Sequence, residues 1–141
     1  MGVKITPADS KDRNSVVALW QAAGLTRPWN DPGVDFDLAL SNPTSSILLA
    51  RHDLALVGSV MVGFDGHRGW VYYLASDPEQ RGKGTGRALM VAAEEWLRFR
   101  GCPKIQLMVR NDNSVAKGFY AAIGYEEQDV VTIGRRLGDD P

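Results

Sequence analysis

The chain has a single cysteine, Cys102, so no disulfide can close within it, and neither paired thiolates nor a cysteine–histidine spacing marks a zinc site. Its two histidines, His52 and His67, fall in predicted turns without metal-ligand spacing and read as solvated residues. An excess of one charge is also missing. Sixteen Lys and Arg against seventeen Asp and Glu give a formal net charge of -1, which leaves no global field to gather nucleic acid or anionic lipid, so any anion site must be local. No run of eighteen apolar residues exists, and the opening Met1–Thr6 lacks the apolar stretch of a secretory signal. These absences point to a cytoplasmic protein with no metal, no membrane partner and no nucleic-acid partner. Internal repeats and low-complexity tracts are lacking as well. What remains is 141 residues, 44% hydrophobic and 23% charged, the profile of one domain over residues 1–141 with a core that needs no staples.

Periodicity gives the order of elements. A first strand starts near Val3 and Ile5, and a helix from Asp9 to Ala23 carries Val16, Val17, Leu19 and Trp20. Residues 25–33, with two prolines and a glycine, read as a shaped loop, and a short helix over Phe36–Leu40 stops at Asn42-Pro43. Ile47–Ala50 and Leu56–Phe64 form a hairpin across Arg51-His52-Asp53, and Trp70–Ala75 is the strongest strand signal. A helix over Gly84–Arg100, a strand over Ile105–Val109, a helix over Ser114–Ile123 and a closing strand over Val130–Leu137 complete an α/β domain, a mixed, largely antiparallel sheet flanked by helices.

The segment with the most chemistry runs from Leu74-Ala75-Ser76 through Arg81-Gly82-Lys83-Gly84-Thr85-Gly86-Arg87. A strand ends, glycines alternate and a helix begins. Amides at a helix N-terminus lack internal acceptors, the helix dipole favours an anion, and missing Cβ atoms let a phosphate approach the backbone. Arg81, Lys83 and Arg87 add charge. The Walker A and dinucleotide glycine spacings both fail here.

Arg81-x-x-Gly84-x-Gly86, followed by Asn113-x-x-Ala116-x-x-x-Tyr120 and Gly124-Tyr125, resembles the GNAT family of N-acetyltransferases over nearly the whole chain. Arg27–Pro32 and the turn Gly63–Gly69 are similar to the bacterial YpeA-like group. The resemblance implies a GNAT-like fold and acetyl-CoA as co-substrate. It implies that Leu74, Ala75 and Ser76 pair with the pantetheine arm and that Arg81, Gly82, Lys83, Gly84, Thr85, Gly86 and Arg87 surround the pyrophosphate. Asn113 and Lys117 then sit beside the cofactor, and Tyr120 is the general acid for the departing thiolate. Direct attack by the amine needs no covalent enzyme intermediate, so Cys102 has no nucleophilic task.

The base is unassigned. Some relatives carry a glutamate where Met108 stands, others near Gly69, and neither residue here can take a proton. Arg27, Trp29, Asp31, Asp65 and Tyr72 are candidates for contact with the acceptor, a primary amine of a small molecule, a peptide N-terminus or a protein lysine. A homodimer follows by family analogy alone. The competing expectation is an acyl-CoA-binding sensor that keeps the cleft without catalysis.

Overall fold

The computed structural model describes residues 2–80 and 82–138. Its elements fall into two compact units, residues 1–107 and 108–141. The first holds β1 (Lys4–Pro7), α1 (Arg13–Ala22), α2 (Pro32–Ser41), β2 (Ser45–His52), β3 (Ala55–Phe64), β4 (Gly69–Ser76), α3 (Thr85–Phe99) and β5 (Ile105–Leu107). The second holds α4 (Ser114–Ala122). The sheet runs in the order β1-β2-β3-β4-β5, antiparallel except for the parallel β4–β5 pair.

Helix boundaries follow from caps. The Asp9 carboxylate accepts from Lys11 N at 2.9 Å while Asp12 accepts from Asp9 N at 3.0 Å, so the chain enters α1 through a short 3₁₀ turn at Ser10–Asp12 rather than as one helix from Asp9. The second helix begins at Pro32, not at Phe36. Asp31 accepts from the amides of Gly33 and Val34, and Pro32 occupies the first helical position, where its missing N–H costs nothing. Val16, Leu19 and Trp20 on α1 and Phe36 and Ala39 on α2 bury one stripe each, against Ile47, Leu49 and Ala75 of the sheet.

The other face is covered by α3 through Thr85, Leu89, Met90, Ala93 and Leu97. Gly58 permits this. A Cβ there would lie 2.7 Å from Thr85 Cγ2, 2.8 Å from Leu89 Cδ1 and 2.9 Å from the Ala75 carbonyl oxygen. Only a glycine lets the first turn of α3 seat so closely on β3 and β4.

Three expectations need correction. β2 continues through His52, so the β2–β3 turn is Asp53-Leu54, with Asp53 in the left-handed region. β5 ends at Leu107, short of Val109. Residues 130–137 form no strand, and Val130, Val131, Ile133 and Leu137 are 74–96% exposed. Apolar β-branched residues make a strand only when a ladder and a buried face receive them, and Gly134 and the Arg135-Arg136 pair interrupt this run.

Candidate active site

β4 is paired from end to end on one side, apart from Tyr73 and Leu74 at a register shift, but not on the other. β3 covers it from Gly69 to Ser76, whereas β5 covers only Gly69–Val71. From Tyr72 to Ser76 the second edge pairs with no strand among the described residues. Extended backbone with unpaired N–H and C=O groups is a template for another extended chain of amides.

This edge leads into the glycine-rich loop. Gly82 and Gly84 have φ of 81° and 80°, a region that L side chains enter only under strain. Gly84 is the N-cap of α3 and offers no side-chain cap, and the first helical bond runs from Ala88 N to Gly84 O. The amides of Thr85, Gly86 and Arg87 thus have no acceptor inside the helix. Lys83 and Arg87 are exposed beside them, while Thr85 is buried against the sheet. Arg81, predicted to join this group, lies outside the described residues. A cleft of about 390 Å³ here is lined by Val3, His52, Gln80, Lys83, Gly84 and Thr85 among others. His52, read from sequence as a solvated turn residue, therefore borders the candidate anion site. Nothing local in the chain could have signalled this, because β2 and the loop after β4 meet only in the fold.

In the second unit, Asn113 caps α4 by accepting from Ala116 N at 3.0 Å, and Lys117 Nζ donates to Asn111 Oδ1 at 3.1 Å. The ring of Tyr120 meets Phe119 edge-on at 5.0 Å and Tyr125 at 5.8 Å. Burial pushes its phenol up to about 12, so it stays protonated at neutral pH and can serve as a proton donor.

The predicted acceptor residues divide into groups. Asp65 accepts from Arg68 N, His67 N and Trp70 Nε1 at 2.7, 2.8 and 3.1 Å. The backbone bonds, that from Arg68 first, hold its carboxyl below the usual range. Its charge, after burial, helps raise the phenol of half-exposed Tyr72. Arg27 instead closes its own loop by donating to the carbonyls of Gly24 and Thr26, and Asp31 caps α2. Trp29 is 47% exposed on the same loop.

A further group was not anticipated. Tyr73 has φ of 52° at the point where the β3–β4 register shifts between Ser59 and Met61. Met61 pairs with Tyr72 but Ser59 pairs with Ala75, so one extra residue of β4 sits in this interval. The Tyr73 ring stacks on Trp20 at 3.9 Å and 10°, and its hydroxyl donates to Asp35 Oδ2 at 2.6 Å. Trp20 Nε1 donates to the fully buried Ser59 Oγ at 2.9 Å, and Ser59 Oγ in turn donates to the Tyr73 carbonyl at 3.5 Å. Burial first, and the Asp35 hydrogen bond second, hold the Tyr73 phenol well above its ordinary value.

No group of three or more metal-ligating side chains converges among the described residues, and no helix there is long and apolar enough to cross a membrane.

Residues 14–125 match the acetyltransferase (GNAT) family. The chain is 46% identical over 129 residues to a protein named acetyltransferase ECA0875 from Pectobacterium atrosepticum, covering 92% of both chains. Among solved structures it is similar to AAC(6')-Iy in complex with the bisubstrate analogue CoA-S-monomethyl-acetylneamine, with a TM-score of 0.83 at 16% identity over 98% of this chain and 100% of that one. A predicted acetyltransferase from Clostridium acetobutylicum with acetyl-CoA gives a TM-score of 0.78 at 16% identity, covering 94% of this chain and 96% of that one. At such identities the structural likeness establishes the fold.

Proposed function

The chain belongs to the GNAT family of acetyltransferases and has its α/β fold, and from that premise we propose that it transfers the acetyl group of acetyl-CoA to a primary amine by direct attack in a ternary complex. Residues 1–141 act as one catalytic domain, and Arg27–Pro32 with Gly63–Gly69 support a place in the YpeA-like group. The observation that carries the proposal is the half-open β4 leading into an uncapped helix start.

Acetyl-CoA supplies the thioester, and the chain supplies what surrounds it. The backbone of Leu74, Ala75 and Ser76 offers amides and carbonyls along the open edge to the pantetheine arm. The first-turn amides of α3, with Gly82, Lys83, Gly84 and Arg87, hold the pyrophosphate, and Arg81 adds a cation from the same loop. Asn113 caps the start of α4, and the family resemblance assigns Asn113 and Lys117 to the flank of the cofactor and Tyr120 to its sulfur. Tyr120, a phenol that burial pushes up to about 12, protonates the leaving thiolate. Asp65 and Tyr72, coupled by charge, with Arg27, Trp29 and Asp31 of the loop before α2, are the side chains offered to the acceptor. A lone cysteine suits the reducing cytoplasm.

The test is acetyl-CoA-dependent release of CoA against pooled amines, peptides and proteins, with product masses read directly. A product heavier by one acetyl group on nitrogen is the expected outcome. Acetyl-CoA binding without transfer to any pool would overturn the proposal in favour of a sensor.

A further inference from the structure

The β4 register has a consequence for which side chains share a face. Gly58 and Gly69 point toward α3, as the atoms an added Cβ would meet show, so Val71 faces α3 as well, and Trp70 and Tyr72 face α1 and α2. Regular alternation would send Tyr73 back toward α3. Instead, the extra residue at the register shift puts Tyr73 on the α1–α2 face, stacked on Trp20, and keeps Ala75 there too. Two adjacent tyrosines thus look the same way, immediately before the backbone proposed to hold the pantetheine arm. A tyrosine in a left-handed conformation is a strained residue, and three contacts, with the Trp20 ring, the Ser59 hydroxyl and the Asp35 carboxylate, keep it so.

The hydroxyl is oriented as firmly as the ring. Its proton is committed to Asp35 at 2.6 Å, so the phenol oxygen faces any other partner as an acceptor only. Such an oxygen, on the residue directly before Leu74–Ser76, suits the outstanding requirement of the chemistry, since an amine that attacks a thioester must shed a proton and neither Met108 nor Gly69 can take it.

We propose that Tyr73 receives the N–H proton of the acceptor amine, with Asp35 acting through it. As the C–N bond forms, the nitrogen's proton passes to the phenol oxygen and the phenol's own proton passes to the Asp35 carboxylate. The C–S bond breaks, sulfur leaves with the bonding pair and takes the Tyr120 proton, Asp35 later gives its proton to water, and the Tyr120 phenolate takes one back from water. Both tyrosines end as they began, and charge and protons balance. The relay rests on the N-acetyltransferase function proposed above, and Asp35 is a positioning residue within it.

The experiment compares wild type with Tyr73→Phe, Asp35→Asn and the double variant. It uses two primary amines of equal bulk, one strongly and one weakly basic, and follows acetyl-CoA affinity by calorimetry alongside. Tyr73→Phe keeps the ring that stacks on Trp20, so the expected result is acetyl-CoA affinity within about twofold of wild type and kcat lower by about 10²-fold or more. The loss should be larger for the strongly basic amine, which holds its proton more tightly. Asp35→Asn should act in the same direction, and the double variant should be no worse than Tyr73→Phe, because both lesions break one relay. Equal losses for the two amines, or an unchanged kcat in Tyr73→Phe, would overturn the relay while leaving the acetyltransferase intact. If Tyr73→Phe fails to fold, Asp35→Asn decides alone by the same comparison of amines. A wild type that binds acetyl-CoA yet acetylates no amine would overturn both the proposed function and the relay.

Discussion

Gly58→Ala adds a single methyl group at the junction between scaffold and site. The new carbon would stand 2.7–2.9 Å from Thr85, Leu89 and the Ala75 carbonyl, where ordinary contacts begin at 3.4 Å. The Ala75 carbonyl is backbone of β4 and cannot swing aside, so β3 and β4 must part locally, while α3 lifts by about 0.5 Å to clear Thr85 and Leu89 in an interior that is already close-packed. Overpacking of this kind costs about 1–3 kcal/mol. The alanine narrows the unfolded ensemble and returns about 0.4–1 kcal/mol, which leaves a net loss of up to about 2.6 kcal/mol, centred at about 1.3 kcal/mol. With a urea slope of about 2 kcal/mol/M, the unfolding midpoint should fall by about 0.7 M. Trp20, Trp29, Trp70 and Trp96 all lie within residues 1–107, so tryptophan fluorescence reports this unit. Because the displaced turn carries the candidate anion site, acetyl-CoA should bind about threefold more weakly or worse. Gly33→Ala makes the same chemical change where the new carbon first meets the Arg13 guanidinium, the far end of a 43% exposed side chain held by a surface ion pair to Asp37 at 2.9 Å, and it should shift stability by no more than about 1 kcal/mol. An unchanged midpoint together with unchanged acetyl-CoA affinity in Gly58→Ala would refute the seating of α3 described above.

Three further outcomes are expected. Ser59→Ala strands the indole N–H of buried Trp20 and should cost about 1–3 kcal/mol in a urea melt. Tyr120→Phe should lower kcat by about 10²-fold or more with acetyl-CoA affinity retained, and with the wild-type phenol pushed up to about 12, the pH–rate profile should show no limb from Tyr120 across neutral pH. Asp65 has a lowered folded pKa, so its contribution to stability is present above the unfolded value of about 3.9 and fades as pH falls through the folded one. Urea midpoints of wild type and Asp65→Asn should therefore differ at about pH 6 and converge at the acid end.

The sequence carried much of the fold because its punctuation is local. Gly84 before α3, Gly101 after it, Asn42-Pro43 after α2 and the apolar spacing of Leu89, Ala93 and Leu97 each act within a few residues. The phosphate-loop candidate was legible for the same reason. The start of α2 was misread because Pro32 and Gly33 look like loop residues until Asp31 is recognised as a cap, where proline at the first position favours a helix. The expected closing strand failed on the opposite ground, since β-propensity at Val130–Leu137 could not say whether a ladder exists to receive it. Tyr73 was out of reach altogether. Trp70-Val71-Tyr72-Tyr73 reads as plain alternation, and only pairing with β3 reveals the extra residue that turns two neighbours to one face. Asp35, Ser59 and Trp20 come to it from 38, 14 and 53 positions away, and no spacing rule spans such distances.

The half-covered β4 also bears on how the protein survives between turnovers. An uncovered strand edge is sticky toward other strands, and proteins commonly blunt such edges with lysine, proline or a very short length. Tyr72-Tyr73-Leu74-Ala75-Ser76 has neither a charge nor a proline, so its protection has to come from what lies along it. If the pantetheine arm lies as proposed, it takes the same hydrogen-bonding positions a neighbouring chain would use, and such a ligand stabilises the folded state by about 2.7 kcal/mol at a hundredfold excess over its Kd. The co-substrate of the proposed function would then also be a guard, with self-association expected to rise when the acyl-CoA supply is low.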